Sequence, residues 1–255
     1  MQLADLLTSD NAIIFFLLFS RISGVIAFFP FFSHISIPIP VKTALAFYLT
    51  ILFFPVTSLA NIPYEVGNIA LLVLGEFMLG FIAALILNFV FAALGLAGSQ
   101  ISMIMGFSMA SVMDPVTGSN TPIIGQILTL TAILILLAFN GHHLMLLFLS
   151  GSVTHIELGA FYPNPDIWTY LSKAVTHMFM MGLILSFPFI ALSILADVIF
   201  GMLMKTMPQF NLLVVGFPIK IFLSIMVMVS VLAAIMGIFK EEFLSSYEYL
   251  KNLLI

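Results

Sequence analysis

Gly98–Pro122, GSQISMIMGFSMASVMDPVTGSNTP, lies between two long apolar runs and has a composition unlike either. Met103, Met105, Met109 and Met113, with Phe107, are interleaved with Ser102, Gly106, Ser108, Ala110 and Ser111 before the stretch closes on Asp114-Pro115. Read as a helix, Met105, Met109 and Met113 recur every four residues and share a face, while Ser102, Gly106 and Ala110 form a second face almost without bulk. A span that only has to dissolve in lipid needs Leu, Ile, Val and Phe, which the neighbouring runs use freely. Unbranched thioethers on one side and room for a close neighbour on the other suit an element that yields or repacks. The plainer reading is a loop helix filling a gap between spans, with Met as packing material, and both stand at this point.

The composition narrows the class. Of 255 residues, 62% are hydrophobic and 7% are charged, and the mean hydropathy is +1.25. A soluble globular domain carries about 25% charge, so the chain reads as all-α and membrane-embedded. The formal net charge of −4 is spread thinly and offers no basic patch, so no nucleic acid is expected as a partner. Cysteine is absent, which excludes disulfides and thiolate chemistry. MQLADLLTSDN at the start has no Lys or Arg before the first apolar run, so no removable signal peptide is expected.

A bilayer core requires about 20 apolar residues per helix. Six runs meet or approach that length: Ala12–Phe32, Thr43–Leu59, Val66–Ala97, Ile123–Phe139, Val175–Ile199 and Leu212–Phe239. No linker or repeat divides them, so residues 1–255 read as one unit, with 98–122 as a plug-like loop and 240–255 as an amphipathic tail. Lys42 and Lys205 fall in loops on the same side of a six-span chain, which positive-inside statistics assign to the cytoplasm.

Several residues interrupt these runs. Arg21 sits near the middle of the first, where an arginine costs about 2.5 to 3.5 kcal/mol on insertion scales, so it needs an acidic partner, a wet cavity or another protein. Pro38 and Pro40 make a rigid extended corner ahead of Lys42. Glu76 lies inside run three and is neutral or paired, with Arg21 and Lys42 as candidate partners. Asn140-Gly141-His142-His143 opens a polar region reaching Trp168, with the two histidines read as a loop pair. Pro188 and Pro218 are expected to break runs five and six, which also hold Asp197 and Lys220.

Catalytic and metal signatures are missing. Gly106-Phe107-Ser108-Met109-Ala110 lacks the second glycine of a nucleophile elbow. His142 and His143 are adjacent instead of four apart, as a helical zinc site requires. Asp114 and Asp197 lack the Gly-x-Gly-Asp setting of intramembrane aspartyl proteases, and Asp114 before Pro115 more simply ends a helix. No enzyme, cofactor or metal is expected. A stand-alone transporter or channel for a small solute, with Glu76, Asp197 and Arg21 as a charge relay, is the alternative class.

One family carries the whole succession. Arg21-x-x-Gly24 with Pro30, Pro38 and Lys42, Gly75-Glu76 and Gly80, Ala97-Gly98, Met105-Gly106-Phe107, Asp114-Pro115, Gly141-His142-His143, Pro188, Pro208-Gln209-x-Asn211 and Gly216-x-Pro218-x-Lys220 together resemble the FliR family. That family is a component of the flagellar type III export gate and has relatives in virulence injectisomes. The resemblance implies bent or broken helical hairpins packed with FliP and FliQ into a helical, closed channel. FlhB and FlhA complete the gate, which passes unfolded flagellar subunits across the bacterial inner membrane at the flagellar basal body. It implies that much of the assembly stands proud of the membrane plane on the periplasmic side. The apolar runs then pack against sister subunits instead of lipid and the six-span geometry does not hold, with membrane lipid still counted among the partners. Arg21, Lys42, Glu76 and Lys220 would then be satisfied across subunit contacts, and Pro38, Gly98, Pro208, Gln209, Asn211 and Pro218 would shape the backbone. It also implies a lumen plug at about Met103–Gly118, formed by Met103, Met105, Gly106, Phe107, Met109, Met113, Asp114 and Pro115.

Overall fold

A computed structural model describes residues 9–33, 37–57, 66–106, 122–162, 165–207 and 212–254. The chain is an all-α integral membrane protein. In order, the helices are α1 (Ser9–Phe28), the single turn α2 (Pro30–Ser33), α3 (Ile39–Phe53), α4 (Val66–Ile104), α5 (Ile123–Ala138), α6 (Gly141–His155), α7 (Pro165–Thr206) and α8 (Phe217–Leu254). A 3-10 turn at Phe54–Val56 closes α3, and a π turn at Leu212–Gly216 leads into α8. Among the described residues, five helices are long and apolar enough to cross a membrane, or six spans result if α5 and α6, bent by 66° across a short break, form one.

Each of the six apolar runs becomes a helix because an apolar segment in lipid must satisfy its backbone internally. The long ones continue past the apolar limit. α4, α7 and α8 have 39, 42 and 38 residues, about 60 Å each at 1.5 Å per residue, roughly twice the hydrocarbon thickness.

Three expectations are corrected. His142 and His143 stand in the first turn of α6 instead of a loop. Asn140 adopts a left-handed conformation (φ 58°) that ends one helix and lets the next begin at once. Pro188 is contained within continuous α7 and does not break it; a helix tolerates one missing amide when packing holds both sides. Pro38 is extended (φ −60°, ψ 144°), as the corner reading anticipates, but Pro40 stands in the first turn of α3, where its missing amide has no intrahelical partner to lose, so the extended corner stops at Pro38. Pro218 stands at the start of α8, directly after the π turn, so the beginning of that run is irregular.

The chain divides into two compact units. The first comprises Met1–Phe89, Leu136–Ala174 and Phe243–Ile255, and the second Val90–Ile135 and Val175–Glu242. In the first, α3 packs on α1, and Leu17, Leu18, Ile22, Ile26, Leu79, Leu149 and Phe243 are buried. In the second, Leu94, Ile101, Leu128, Ala132, Phe189 and Phe239 are buried, with the Phe91 and Phe239 rings edge to face at 4.9 Å.

Candidate functional site

In the first unit the scarce charges converge. Arg21 of α1 and Glu76 of α4 both have completely buried side chains, and Arg21 Nε donates to Glu76 Oε2 at 2.5 Å. Nη1 donates to the Ser152 carbonyl at 2.7 Å and the Ile156 carbonyl at 3.2 Å. Ser152 stands in the last turn of α6 and Ile156 is its C-cap residue, at the end where the helix dipole is negative and a cation is favoured. The other carboxylate oxygen, Oε1, accepts from the Gly159 backbone N–H at 2.7 Å. One ion pair therefore ties α1, α4 and the end of α6 together. Both partners come from this chain, and of the two cations offered for Glu76 the one chosen is Arg21.

The pair is reachable because two backbones nearly touch. A Cβ on Gly24 would lie 2.6 Å from the Phe77 carbonyl oxygen, and one on Gly80 would collide with the Arg21 carbonyl oxygen. Nearby, Ser20 Oγ donates to the Val73 carbonyl at 2.8 Å. Glycines opposite each other bring α1 and α4 within reach, and the buried charges then meet at hydrogen-bond distance.

In the second unit the same device stands at the approach to the methionine-rich stretch. A Cβ on Gly98 of α4 would run into Gly125 of α5, backbone against backbone. Within two turns α4 ends. Met105 N–H donates to the Ile101 carbonyl (2.9 Å) and Gly106 N–H to the Met103 carbonyl (3.2 Å), with Gly106 at φ +81°. This is a glycine-terminated helix end, so the four-residue methionine face does not extend as one helix through Gly106. A Cβ on Gly106 would come 3.0 Å from the Phe217 ring. Met103 is 69% exposed, whereas Met105 is completely buried. Phe107, Met109, Met113, Asp114 and Pro115 lie outside the described residues, as do Pro208, Gln209 and Asn211.

A second ion pair joins α7 to α8. Lys220 Nζ donates to both carboxylate oxygens of Asp197, at 2.9 and 3.0 Å, and Ser193 Oγ donates to Asp197 at 3.4 Å. The Lys220 side chain is 11% exposed and that of Asp197 60%. Its neighbours Ile194, Leu195 and Val198 are exposed apolar residues, so a carboxylate stands open on an otherwise greasy face. His177 and Glu242 form a further contact at 2.9 Å, at the surface. Among the described residues Lys42 makes no ion pair, and no group of three or more His, Cys, Asp or Glu could hold a metal.

Sequence reasoning named Asp197 and Lys220 separately and missed that they pair; their positions in consecutive apolar runs were the available signal. It also missed Ser152, Ile156 and Gly159, because the polar residues after Asn140 concealed a helix whose end receives Arg21.

A sequence model of the family described as bacterial export proteins, family 1, matches residues 12–246. The chain is similar to the flagellar biosynthetic protein FliR of Bacillus subtilis (strain 168), 32% identical over 243 residues that cover 94% of each chain. It is similar to the flagellar biosynthetic protein FliR of Escherichia coli (strain K12), 30% identical over 85% of this chain and 81% of that one. FliR of Pectobacterium carotovorum subsp. carotovorum is 32% identical over 94% of this chain and 92% of its own.

Proposed function

The chain belongs to the FliR family of bacterial export proteins, and from that premise we propose that it is a structural, channel-forming subunit of the flagellar type III export gate. In this reading it assembles with FliP and FliQ, works with FlhB and FlhA, and passes unfolded flagellar subunits across the inner membrane at the basal body. It carries out no chemical step on its cargo.

The observation that supports a shared channel best is the surface left uncovered. In the apolar 18-residue window of the helix Val214–Leu254 only 17% of residues are buried within the chain, and in that of Asp166–Thr206 only 33%. Lipid accepts such a surface, but it does not accept the half-open carboxylate of Asp197. A neighbouring polypeptide that supplies a donor satisfies both the greasy face and the charge. Lys42 is a second site for a contact across subunits, and Lys220 contributes through Asp197. Arg21 and Glu76 brace the subunit from within.

The plug spans residues 98–122. Gly98 and Gly125 set its helical approach, Gly106 ends α4, and the residues from Phe107 to Gly118 close the passage. Thioethers and a phenyl ring exclude water by dry contact and repack around side chains of many shapes. The test is the mass of the complex purified from membranes with this chain as bait. A hetero-oligomer containing FliP and FliQ homologues supports the reading, and a lone chain or homo-oligomer that moves a small solute overturns it.

A further inference from the structure

α4 ends on a residue that does not choose its own direction. Glycine adopts positive and negative φ about equally, so the +81° at Gly106 has to be selected by what surrounds it. The Gly106 N–H donates to the Met103 carbonyl at 3.2 Å, but that bond lies ahead of the N–Cα rotation and leaves φ free. The described atoms nearest to where a Gly106 side chain would start belong to the Phe217 ring, with Cδ1 at 3.0 Å and Cε1 at 3.2 Å from the position of a Cβ. Both residues belong to the second unit.

The ring is itself held. Phe217 follows the π turn Leu212–Gly216 and opens α8. A π turn reaches one residue further than an α turn, which offsets the next side chain from the face a continuous helix would give it, and such turns gather at functional sites. Pro218 has its φ locked and narrows the backbone of the residue before it. Lys220, one turn later, is bonded to Asp197 of α7. Val214, Val215 and Ile219 are exposed around this start, whereas Phe217 is half-buried.

We propose that Phe217 is the positioning residue of the plug: its ring selects the positive φ at Gly106 and so aims Phe107 and the residues after it. The proposal rests on the reading of residues 98–122 as a plug and adds the residue that sets its direction. A flat, stiff ring suits the task, since it fills the space beside a residue without a side chain and offers no bond to compete with the backbone. It also puts the plug one contact away from the ion pair between α7 and α8, so a shift of the start of α8 reaches Gly106 through the ring.

The test uses the complex purified with its partners, with a nitroxide on Ser108→Cys as the sole labelled cysteine; the chain has none of its own. With Phe217 in place the label should give one immobilised spectral component. In Phe217→Ala about half of it should become mobile, because a glycine freed of its neighbour takes both signs of φ about equally. Phe217→Leu, which keeps bulk against Gly106, should restore most of the immobilised signal. Phe91→Leu, about four turns earlier on α4, removes a core ring contact with Phe239 and should leave the spectrum as it is. If the alanine variant does not assemble, Phe217→Val and Phe217→Leu grade the same contact, and valine should give the larger mobile fraction. An unchanged spectrum in Phe217→Ala, or identical spectra for valine and leucine, overturns the proposal. So does an equal mobile fraction in Phe91→Leu, which would mean general loosening of the core. Small-ion current through the same complexes separates this proposal from the plug reading. A mobile label without current leaves the positioning intact and overturns the seal. An immobile label in Phe217→Ala, beside a current from the chain lacking residues 106–109, keeps the seal and overturns the role of Phe217.

Discussion

Arg21 Nε lies 2.5 Å from Glu76 Oε2, with neither side chain exposed at all, and the two residues hold the last carbonyls of α6 and the Gly159 amide in the same cluster. A buried pair of this kind is costly to create and more costly to halve. Removing one partner leaves a charge with no water and no counterion, typically a loss of about 3 to 5 kcal/mol. Arg21→Ala or Glu76→Ala should therefore remove most of the chain from membranes, read by immunoblot. Arg21→Met combined with Glu76→Leu should recover much of it, because no charge is stranded. A double variant no better than the singles would show that the carbonyl contacts of Arg21, and not charge balance, dominate.

Gly98 should be far less tolerant than Gly95, three residues earlier on the same helix. A methyl on Gly98 meets the Gly125 backbone, whereas one on Gly95 meets nothing within 4 Å. Overpacking costs about 1 to 3 kcal/mol, so Gly98→Ala should lower the thermal midpoint in detergent by several degrees and Gly95→Ala should leave it in place. Gly24→Ala and Gly80→Ala should behave like Gly98→Ala.

Lys220 is the more enclosed member of its pair, at 11% exposure against 60% for Asp197. Asp197→Leu leaves that ammonium without its acceptor and, in the proposed assembly, deprives a partner helix of one. Recovery of FliP-type partners in pull-downs should fall about tenfold, the equivalent of the 1.5 kcal/mol or more of a charged hydrogen bond. Asp197→Glu should retain most of it. Unchanged recovery with Asp197→Leu would mean that the open carboxylate faces water.

Much of this was legible before any coordinates. Six apolar runs became helices because length and hydropathy decide that outcome in a bilayer. Arg21 and Glu76 could be matched because so few charges compete for one another. Helix ends were harder. α7 begins at Pro165, ten residues ahead of its apolar body, because Asp166 in the first turn suits the helix dipole and Lys173 has a helix propensity close to that of leucine, and hydropathy registers neither. His142 and His143 looked like loop residues beside Asn140-Gly141, yet one left-handed residue at Asn140 is enough to turn the chain and restart a helix. The methionine spacing suggested a continuous face, but a positive φ at Gly106 is a backbone event that side-chain periodicity does not reveal. Burial followed the same rule: Met103 and Met105, equivalent by composition, end up 69% and 0% exposed.

The central claim is that the segment following α4 seals a passage built jointly with other polypeptides. Conductance tests it most directly: the complex containing a chain that lacks Gly106-Phe107-Ser108-Met109 is reconstituted into planar bilayers beside the intact complex. With the same subunits present in both, the shortened chain should give a steady small-ion current where the intact complex is closed. Equal, near-zero currents from two fully assembled complexes would contradict the claim.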